Sequence, residues 1–117
     1  RNLQSKLKSK GLPWERAKSF DGSALFSEFV LFDGKLEGLR IECDINSELR
    51  QAGGVTQMIF QPNMMLSELT QFMSLADGDI IMTGTPKGVG QVNRGDVFHC
   101  RLYRDDTLLQ SVEWLAK

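Results

Sequence analysis

The glycine-rich segment 83–90 is the part of the sequence best suited to chemistry. It reads Thr-Gly-Thr-Pro-Lys-Gly-Val-Gly and directly follows three apolar residues, 80–82. Its glycines let the backbone approach another group closely, and Thr83, Thr85 and Lys87 add two hydroxyls and a positive charge. The segment therefore indicates a loop that binds a ligand, with a tight connection between two strands as the alternative.

Phosphate binding is one function to test for this segment. A P-loop requires Gly-Lys followed by Ser or Thr at the start of a helix. Here Lys87 is followed by Gly88 and Val89, and no helical pattern comes after them. The dinucleotide-binding fingerprint also fails, because the glycines at 84, 88 and 90 have the wrong spacing. A non-enzymatic nucleotide-binding module is therefore the weakest of the functions that we consider.

Two single residues are further candidates. Lys18 lies between Trp14 and Phe20, and a lysine in an apolar setting can hold an anionic ligand. The alternative is a solvated lysine whose stem covers an aromatic ring. His99 is the only histidine and shares a face with Arg101 in an alternating segment, which favours a half-exposed strand residue. No Ser-His-Asp or Cys-His signature surrounds it, and no carboxylates have metal-ligand spacing.

Charge and composition exclude several classes of protein. The chain has 14 Lys and Arg against 15 Asp and Glu, so it lacks the basic excess that holds a phosphate backbone. With 41% hydrophobic and 25% charged residues, it resembles neither a disordered tail nor a coiled coil. No apolar run approaches the roughly 20 residues of a membrane span. We therefore expect neither nucleic acid nor a membrane as a partner.

The cysteines bear on the cellular compartment. Cys43 and Cys100 each lie inside an apolar run, and their distant positions do not form a zinc pattern. They are expected to be two buried free thiols in a reducing compartment. Together with five methionines and no secretion signal, they predict a cytoplasmic protein.

The elements that must position these residues are mostly strands. Leucines spaced four residues apart indicate a helix near the start, and period-two alternation indicates strands. The patterns predict helices over 2–10 and 63–75 and strands over 39–45, 48–52, 79–83, 97–103 and 108–114. The run 79–83 is nearly continuously apolar, which is typical of a strand buried on both faces. The predicted fold class is α+β, mainly β.

Four segments resemble the fumarylacetoacetate hydrolase family, in the family's order and spacing. Residues 78–90, Gly-Asp-Ile-Ile-Met-Thr-Gly-Thr-Pro-Lys-Gly-Val-Gly, are followed by Gly-Asp at 95–96. Residues 14–21 read Trp-Glu-Arg-Ala-Lys-Ser-Phe-Asp, and Met-Ile-Phe at 58–60 precedes an amphipathic helix. The chain opens on Arg-Asn-Leu-Gln, in which Asn2 replaces the family's usual Asp. The resemblance is nearest to small acylpyruvases and 5-carboxymethyl-2-hydroxymuconate isomerases of aromatic catabolism.

The resemblance implies a fold, a metal and a domain assignment. The family fold is a mixed β-roll with few short helices, usually in a homodimer. A divalent metal, Mg²⁺ or Mn²⁺ and in some members Ca²⁺, is held by a Glu-x-Glu pair and an Asp. Those ligands, and a lid with a catalytic His-Glu pair, would precede Arg1, and the chain indeed does not open on Met. Residues 1–117 are then expected to be the C-terminal portion of a single catalytic domain.

The same resemblance implies roles for five residues. Lys18 would be the catalytic lysine, reaching the metal-chelated substrate or a metal-bound water. Arg1 and Gln4 would hold polar groups of the substrate, Thr85 would contact its carboxylate or oxo group, and Gly84 would give close backbone access. A 2-oxo acid chelates a metal through carboxylate and keto oxygens, and the metal stabilises the enolate that cleavage, decarboxylation or tautomerisation forms.

The sequence therefore predicts part of a metal-dependent enzyme that acts on a 2-oxo or 1,3-diketo acid. The reaction would be C–C bond hydrolysis of an acylpyruvate-type substrate, or a related isomerisation or decarboxylation. The alternative is an inactive fragment or remnant that lacks the metal site. The expected partners are a small oxo-acid substrate and a second copy of the chain.

Overall fold

The fold is a four-stranded antiparallel sheet with two short helices, and the computed structural model describes all 117 residues. The strands are β1 (Leu39–Ile45), β2 (Glu48–Gly54), β3 (Val97–Arg104) and β4 (Thr107–Leu115), in the order β2-β1-β3-β4. The helices are α1 (Asn2–Lys8) and α2 (Pro62–Leu69), and short 3₁₀ turns span Glu15–Ala17 and Val55–Gln57. The predicted α+β, mainly β class is confirmed. No helix is long and apolar enough to cross a bilayer.

The two hairpins follow the turn chemistry of the sequence. Asn46 and Ser47 join β1 to β2 with φ of 53° and 67°, the left-handed pair that a two-residue hairpin turn needs. The Asn46 side chain also donates to Asp96 Oδ1 at 2.9 Å and accepts from the Val97 N–H at 2.9 Å. The turn therefore ties the first hairpin to the start of β3.

Helix α2 is shorter than predicted. The apolar stripe predicted a helix to residue 75, but the helix ends at Leu69. The Thr70 hydroxyl lies 3.0 Å from the Leu66 carbonyl oxygen and 3.1 Å from that of Ser67. Such back-bonding bends a helix rather than ending it, and the regular helix stops where the amides of Gln71 and Phe72 bond to carbonyls three residues back instead of four.

The strand predicted over 79–83 is absent, and this prediction was wrong. Ile80 and Met82 are 52% and 79% exposed. The physical reason is that no strand of this chain pairs with the segment, so its backbone has no ladder to join. Apolar composition alone does not make a strand without a partner.

One face of the sheet carries charges that neutralise one another, and we call it the ionic face (Arg40, Glu42, Asp44, Arg101 and Tyr103). Arg101 Nη2 lies 2.8 Å from Asp44 Oδ2 and 3.2 Å from Glu42 Oε2. Arg40 pairs with Glu42, and its guanidinium lies 4.0 Å from the centre of the Tyr103 ring. Ion pairs and a cation–π contact thus compensate the charges of this face from within the sheet, although Arg101 Nε has no hydrogen-bond partner.

The opposite face is apolar, and we call it the loop face (Leu39, Ile41, Cys43, Cys100 and Leu102). Cys43 and Cys100 lie directly opposite each other on β1 and β3, with their sulfurs 2.9 Å apart. Both thiols are half-buried, whereas the sequence predicted buried ones, and no residue of the chain is buried. Even so, burial raises the pKa of the Cys100 thiol to about 12.

Candidate functional site

A cavity of about 860 Å³ lies on the loop face. Its apolar wall includes Leu39, Ile41 and Leu102 of the sheet and Met58 and Phe60 of the segment before α2. Its polar rim comes from the glycine-rich segment and the end of the first hairpin, namely Gln57, Thr83, Thr85 and Lys87. An apolar cleft with a few polar groups on one side is typical of a small-molecule site.

The glycines of the segment have different tasks. A Cβ on Gly88 would lie 1.9 Å from the carbonyl oxygen of Arg50, and one on Gly53 would lie 2.8 Å from the Pro86 ring. Residues 86–88 therefore lie directly on strand β2, where only glycine leaves room. Gly84 has a φ of +115° and nothing within 4 Å of the Cβ position, so its backbone is the part that stays open to the cavity.

Strand β2 also holds this segment through a side chain that the sequence analysis did not single out. Gln51 Nε2 donates to Thr85 Oγ1 at 3.1 Å and to the Pro86 carbonyl oxygen at 2.8 Å. Gln51 lies opposite Cys43, so its side chain is on the loop face. The alternation of β2 could have predicted which face Gln51 lies on. Only the sheet register brings it to Thr85 and Pro86, which are 34 and 35 positions further along the chain.

The structure brings two of the five predicted site residues together. Gly84 and Thr85 line the cavity, whereas Arg1, Gln4 and Lys18 do not. Arg1 and Gln4 lie at the start of α1, which is tied to the end of the glycine-rich segment because Gln91 Nε2 donates to Asn2 Oδ1 at 3.3 Å. The roles implied for these residues remain predictions.

Lys18 is exposed and follows the 3₁₀ turn at residues 15–17. The alternative interpretation placed its stem on an aromatic ring. The lysine that packs against Trp14 is instead Lys8, whose Nζ lies 4.5 Å from the centre of the ring. The Lys18 ammonium has no ion-pair partner in this chain, so it is free to meet an anionic ligand.

The remaining candidates do not form a second site. His99 is half-buried beside Asp44 and Glu113 in a shallow depression. No group of three His, Cys, Asp or Glu side chains is arranged to hold a metal ion. The residues of this chain therefore do not by themselves fit the metal that the family resemblance implies. No helix follows the glycine-rich segment either, since the next element is β3, so the geometry of a P-loop is missing.

Known proteins match the chain along nearly its whole length. Residues 1–112 match the family model described as fumarylacetoacetate (FAA) hydrolase, C-terminal. A mitochondrial oxaloacetate tautomerase of Saccharomyces cerevisiae is 40% identical, over 91% of this chain and 44% of the relative. A mitochondrial oxaloacetate decarboxylase of Dictyostelium discoideum is 36% identical, over 94% of this chain and 51% of the relative. The crystal structure of a yeast fumarylacetoacetate hydrolase family protein matches with a TM-score of 0.91 at 35% identity, over 100% of this chain and 52% of that one.

The names of these relatives overturn the cytoplasmic location predicted from the sequence. The relatives from Saccharomyces cerevisiae and Dictyostelium discoideum are both named as mitochondrial. The prediction was wrong because free thiols indicate only a reducing compartment. The mitochondrial matrix is also reducing, so cysteine and methionine content cannot separate it from the cytoplasm.

The chain spans about half the length of the relatives that it matches. The match nevertheless covers nearly all of this chain, because the family model covers residues 1–112 and the yeast structure covers the whole chain. The segments that form the cavity rim and strands β1 to β3 lie inside the matched range, and β4 lies inside it up to residue 112. The chain therefore belongs to the fumarylacetoacetate hydrolase family.

Proposed function

We propose that the protein is an enzyme that acts on a small 2-oxo acid of the oxaloacetate type, by tautomerisation or decarboxylation. The observation that carries the proposal is the cavity whose apolar wall faces Thr85 and the open backbone of Gly84. The relatives named as an oxaloacetate tautomerase and an oxaloacetate decarboxylase support the substrate class. C–C hydrolysis of an acylpyruvate stays within the proposal, because the matching family model is described as a hydrolase.

The three reactions share one chemical demand. Tautomerisation, decarboxylation and acylpyruvate cleavage all place negative charge on the oxygen of an enolate, and preorganised donors stabilise it. Because Thr85 lines the cavity, its hydroxyl would donate to a carboxylate or oxo oxygen there. The Lys18 ammonium would supply a positive charge to the same anion, and Arg1 and Gln4 would hold its other polar groups.

The proposal includes a divalent metal and further polypeptide. A metal-dependent reaction, with Mg²⁺ or Mn²⁺, would need carboxylates from outside these 117 residues, because no suitable group converges in the chain. Several large apolar side chains are strongly exposed, including Phe29 at 80%, Ile59 at 92% and Leu31, which is fully exposed. Exposed apolar surface of this extent marks contact sites. It supports the assignment of residues 1–117 to the C-terminal portion of one domain in a homodimer.

The test uses the natural full-length gene product, whether or not it extends beyond these residues. With Mg²⁺, we expect it to accelerate the enol–keto conversion of oxaloacetate, which is measured from the absorbance of the enol. Acetylpyruvate and fumarylpyruvate are assayed in parallel. Thr85→Ala and Lys18→Ala should each lower kcat/KM at least 10-fold, the loss expected for a hydrogen bond to a charged group. Lys35→Ala, a lysine outside the cavity, is the control.

Normal rates in both variants would show that the site assignment is wrong. No turnover of any of the three substrates by the wild-type protein would contradict the proposed function itself.

The alternative function, an inert chain, makes a different prediction. Because no metal-holding group is present in residues 1–117, this chain alone should bind neither Mg²⁺ nor Mg²⁺ with oxalate. Calorimetric titration of the 117-residue chain measures this directly. Tight binding by the chain alone would show that it carries a metal site of its own.

A further inference from the structure

Gln51 is the one side chain of the sheet that hydrogen bonds to the glycine-rich segment. It is half-buried near the middle of β2, on the loop face beside Cys43. Its Nε2 lies 3.1 Å from Thr85 Oγ1 and 2.8 Å from the Pro86 carbonyl oxygen. A single amide nitrogen therefore joins the strand to both the backbone and the hydroxyl of the segment.

The Pro86 carbonyl determines which end of the Gln51 amide faces the segment. A carbonyl oxygen can only accept a hydrogen bond, so the group 2.8 Å from it must be the amide nitrogen. The same nitrogen then donates its second proton to Thr85 Oγ1. As a result the Thr85 hydroxyl accepts from Gln51, and its own proton must point to another acceptor.

The glycine-rich segment lies close against β2 around these hydrogen bonds. Gly88 lies against the carbonyl of Arg50, and Pro86 lies against Gly53, so the segment sits on β2 on both sides of Gln51. The segment therefore lies against the strand on either side of the Gln51 hydrogen bonds. Thr85 is exposed and lines the cavity, so its hydroxyl proton is available to a group bound there.

We propose that Gln51 is a positioning residue that makes the Thr85 hydroxyl a hydrogen-bond donor toward an anionic oxygen of the bound oxo acid. The proposal rests on the proposed function. It goes beyond that function by stating why the site would select an acceptor, a carboxylate or oxo oxygen, over a ligand that presents a donor. The selectivity comes from a side chain that does not itself touch the substrate.

Gln51→Glu tests the direction of the hydroxyl in the full-length gene product. The carboxylate has nearly the same shape as the amide, but it has no proton to donate and instead accepts from Thr85. We expect KM for oxaloacetate to rise about 10- to 100-fold while kcat changes less than about 3-fold, because the lost hydrogen bond holds a charged substrate group in the ground state too. Gln51→Met, which merely frees the hydroxyl, should raise KM less. Gln110→Met, which removes a half-buried amide from β4, is the matched control.

A double variant separates positioning from a merely structural role. In a Thr85→Ala background, Gln51→Met should change KM less than about 2-fold, because the hydroxyl through which it acts is gone. Multiplicative effects in the double variant, or an unchanged KM in Gln51→Glu with an active wild-type enzyme, would overturn the proposal alone. An inactive wild-type enzyme would overturn the proposed function, and this inference with it.

Discussion

The two faces of the sheet differ in how their side chains are covered. On the ionic face, the Arg101 guanidinium lies between the carboxylates of Asp44 and Glu42, so the sheet satisfies its own charges. On the loop face, Ile41 and Leu102 line a cavity that the chain leaves open. On the ionic face the charged side chains pair with one another, whereas the loop face leaves apolar surface open to a ligand.

This difference separates stability from function. Substitutions of Glu42, Asp44 and Arg101 on the ionic face, none of which lines the cavity, should change the free energy of unfolding and leave substrate binding intact. Substitutions that move the glycine-rich segment on the loop face should change activity. Three predictions test this division, beginning with the largest expected effect.

Gly88→Ala should displace the glycine-rich segment from β2. Its φ of +109° disfavours a side chain, and the new Cβ would lie 1.9 Å from the Arg50 carbonyl oxygen, which is backbone and cannot turn aside. We expect a loss of about 3 kcal/mol in the free energy of unfolding, together with loss of activity on oxaloacetate. Gly84→Ala is the control, because it has a similar φ of +115° but open space. Denaturant unfolding of both variants measures the difference, and equal losses would show that the contact with β2 is unimportant.

Arg101→Met should destabilise the ionic face without affecting KM. The side chains of Arg101, Asp44 and Glu42 are only 20%, 14% and 25% exposed, and removing the cation leaves Asp44 without an ion pair and Glu42 with Arg40 alone. We expect a loss of about 2 kcal/mol, below the range for a fully buried pair because water still reaches these groups. Arg50→Met, which removes an exposed pair with Glu48, should cost at most about 0.5 kcal/mol. Thermal unfolding compares the two, and a large change in KM for Arg101→Met would break the division between the faces.

Cys100 should give the loop face a small dependence on alkaline pH. Burial raises the pKa of this thiol to about 12 from the ordinary value of 9.0, so the unfolded chain loses the proton first as the pH rises. Between pH 9 and 12 the native state therefore binds more protons than the unfolded state, and the free energy of unfolding falls as the pH increases. Cys100→Ala should fall less steeply over this range in denaturant titrations at several pH values. An identical slope in the variant would show that another group is responsible.

Local patterns predicted the central hairpin well. Alternation over residues 39–45 and the Asn-Ser turn produced β1 and the start of β2 as expected, because side chains in a strand alternate between faces and the turn residues accept left-handed φ values. The same logic failed for residues 79–83, where the missing factor was a partner strand. It also overestimated α2, in which the backbone hydrogen bonds shift to a three-residue spacing after Leu69.

Local sequence patterns also predicted only part of the candidate site. Gly84 and Thr85 were predicted from an unusual local sequence, and the structure places both on the cavity wall. Gln51 carried no local signal, because a glutamine in a strand is usually just a polar surface residue. Its meaning comes from contact with residues 34 and 35 positions further along the chain.

The sequence by itself determined the fold class, the hairpin turns, the glycine-rich segment and the family, since each depends on residue types at short spacing. The tertiary structure alone decided that Gly88 serves the contact with β2 while Gly84 stays open, and that Gln51 orients the Thr85 hydroxyl. The physical reason is that hydrogen-bond direction and steric contact depend on atoms from distant segments, and strand register brings those atoms together.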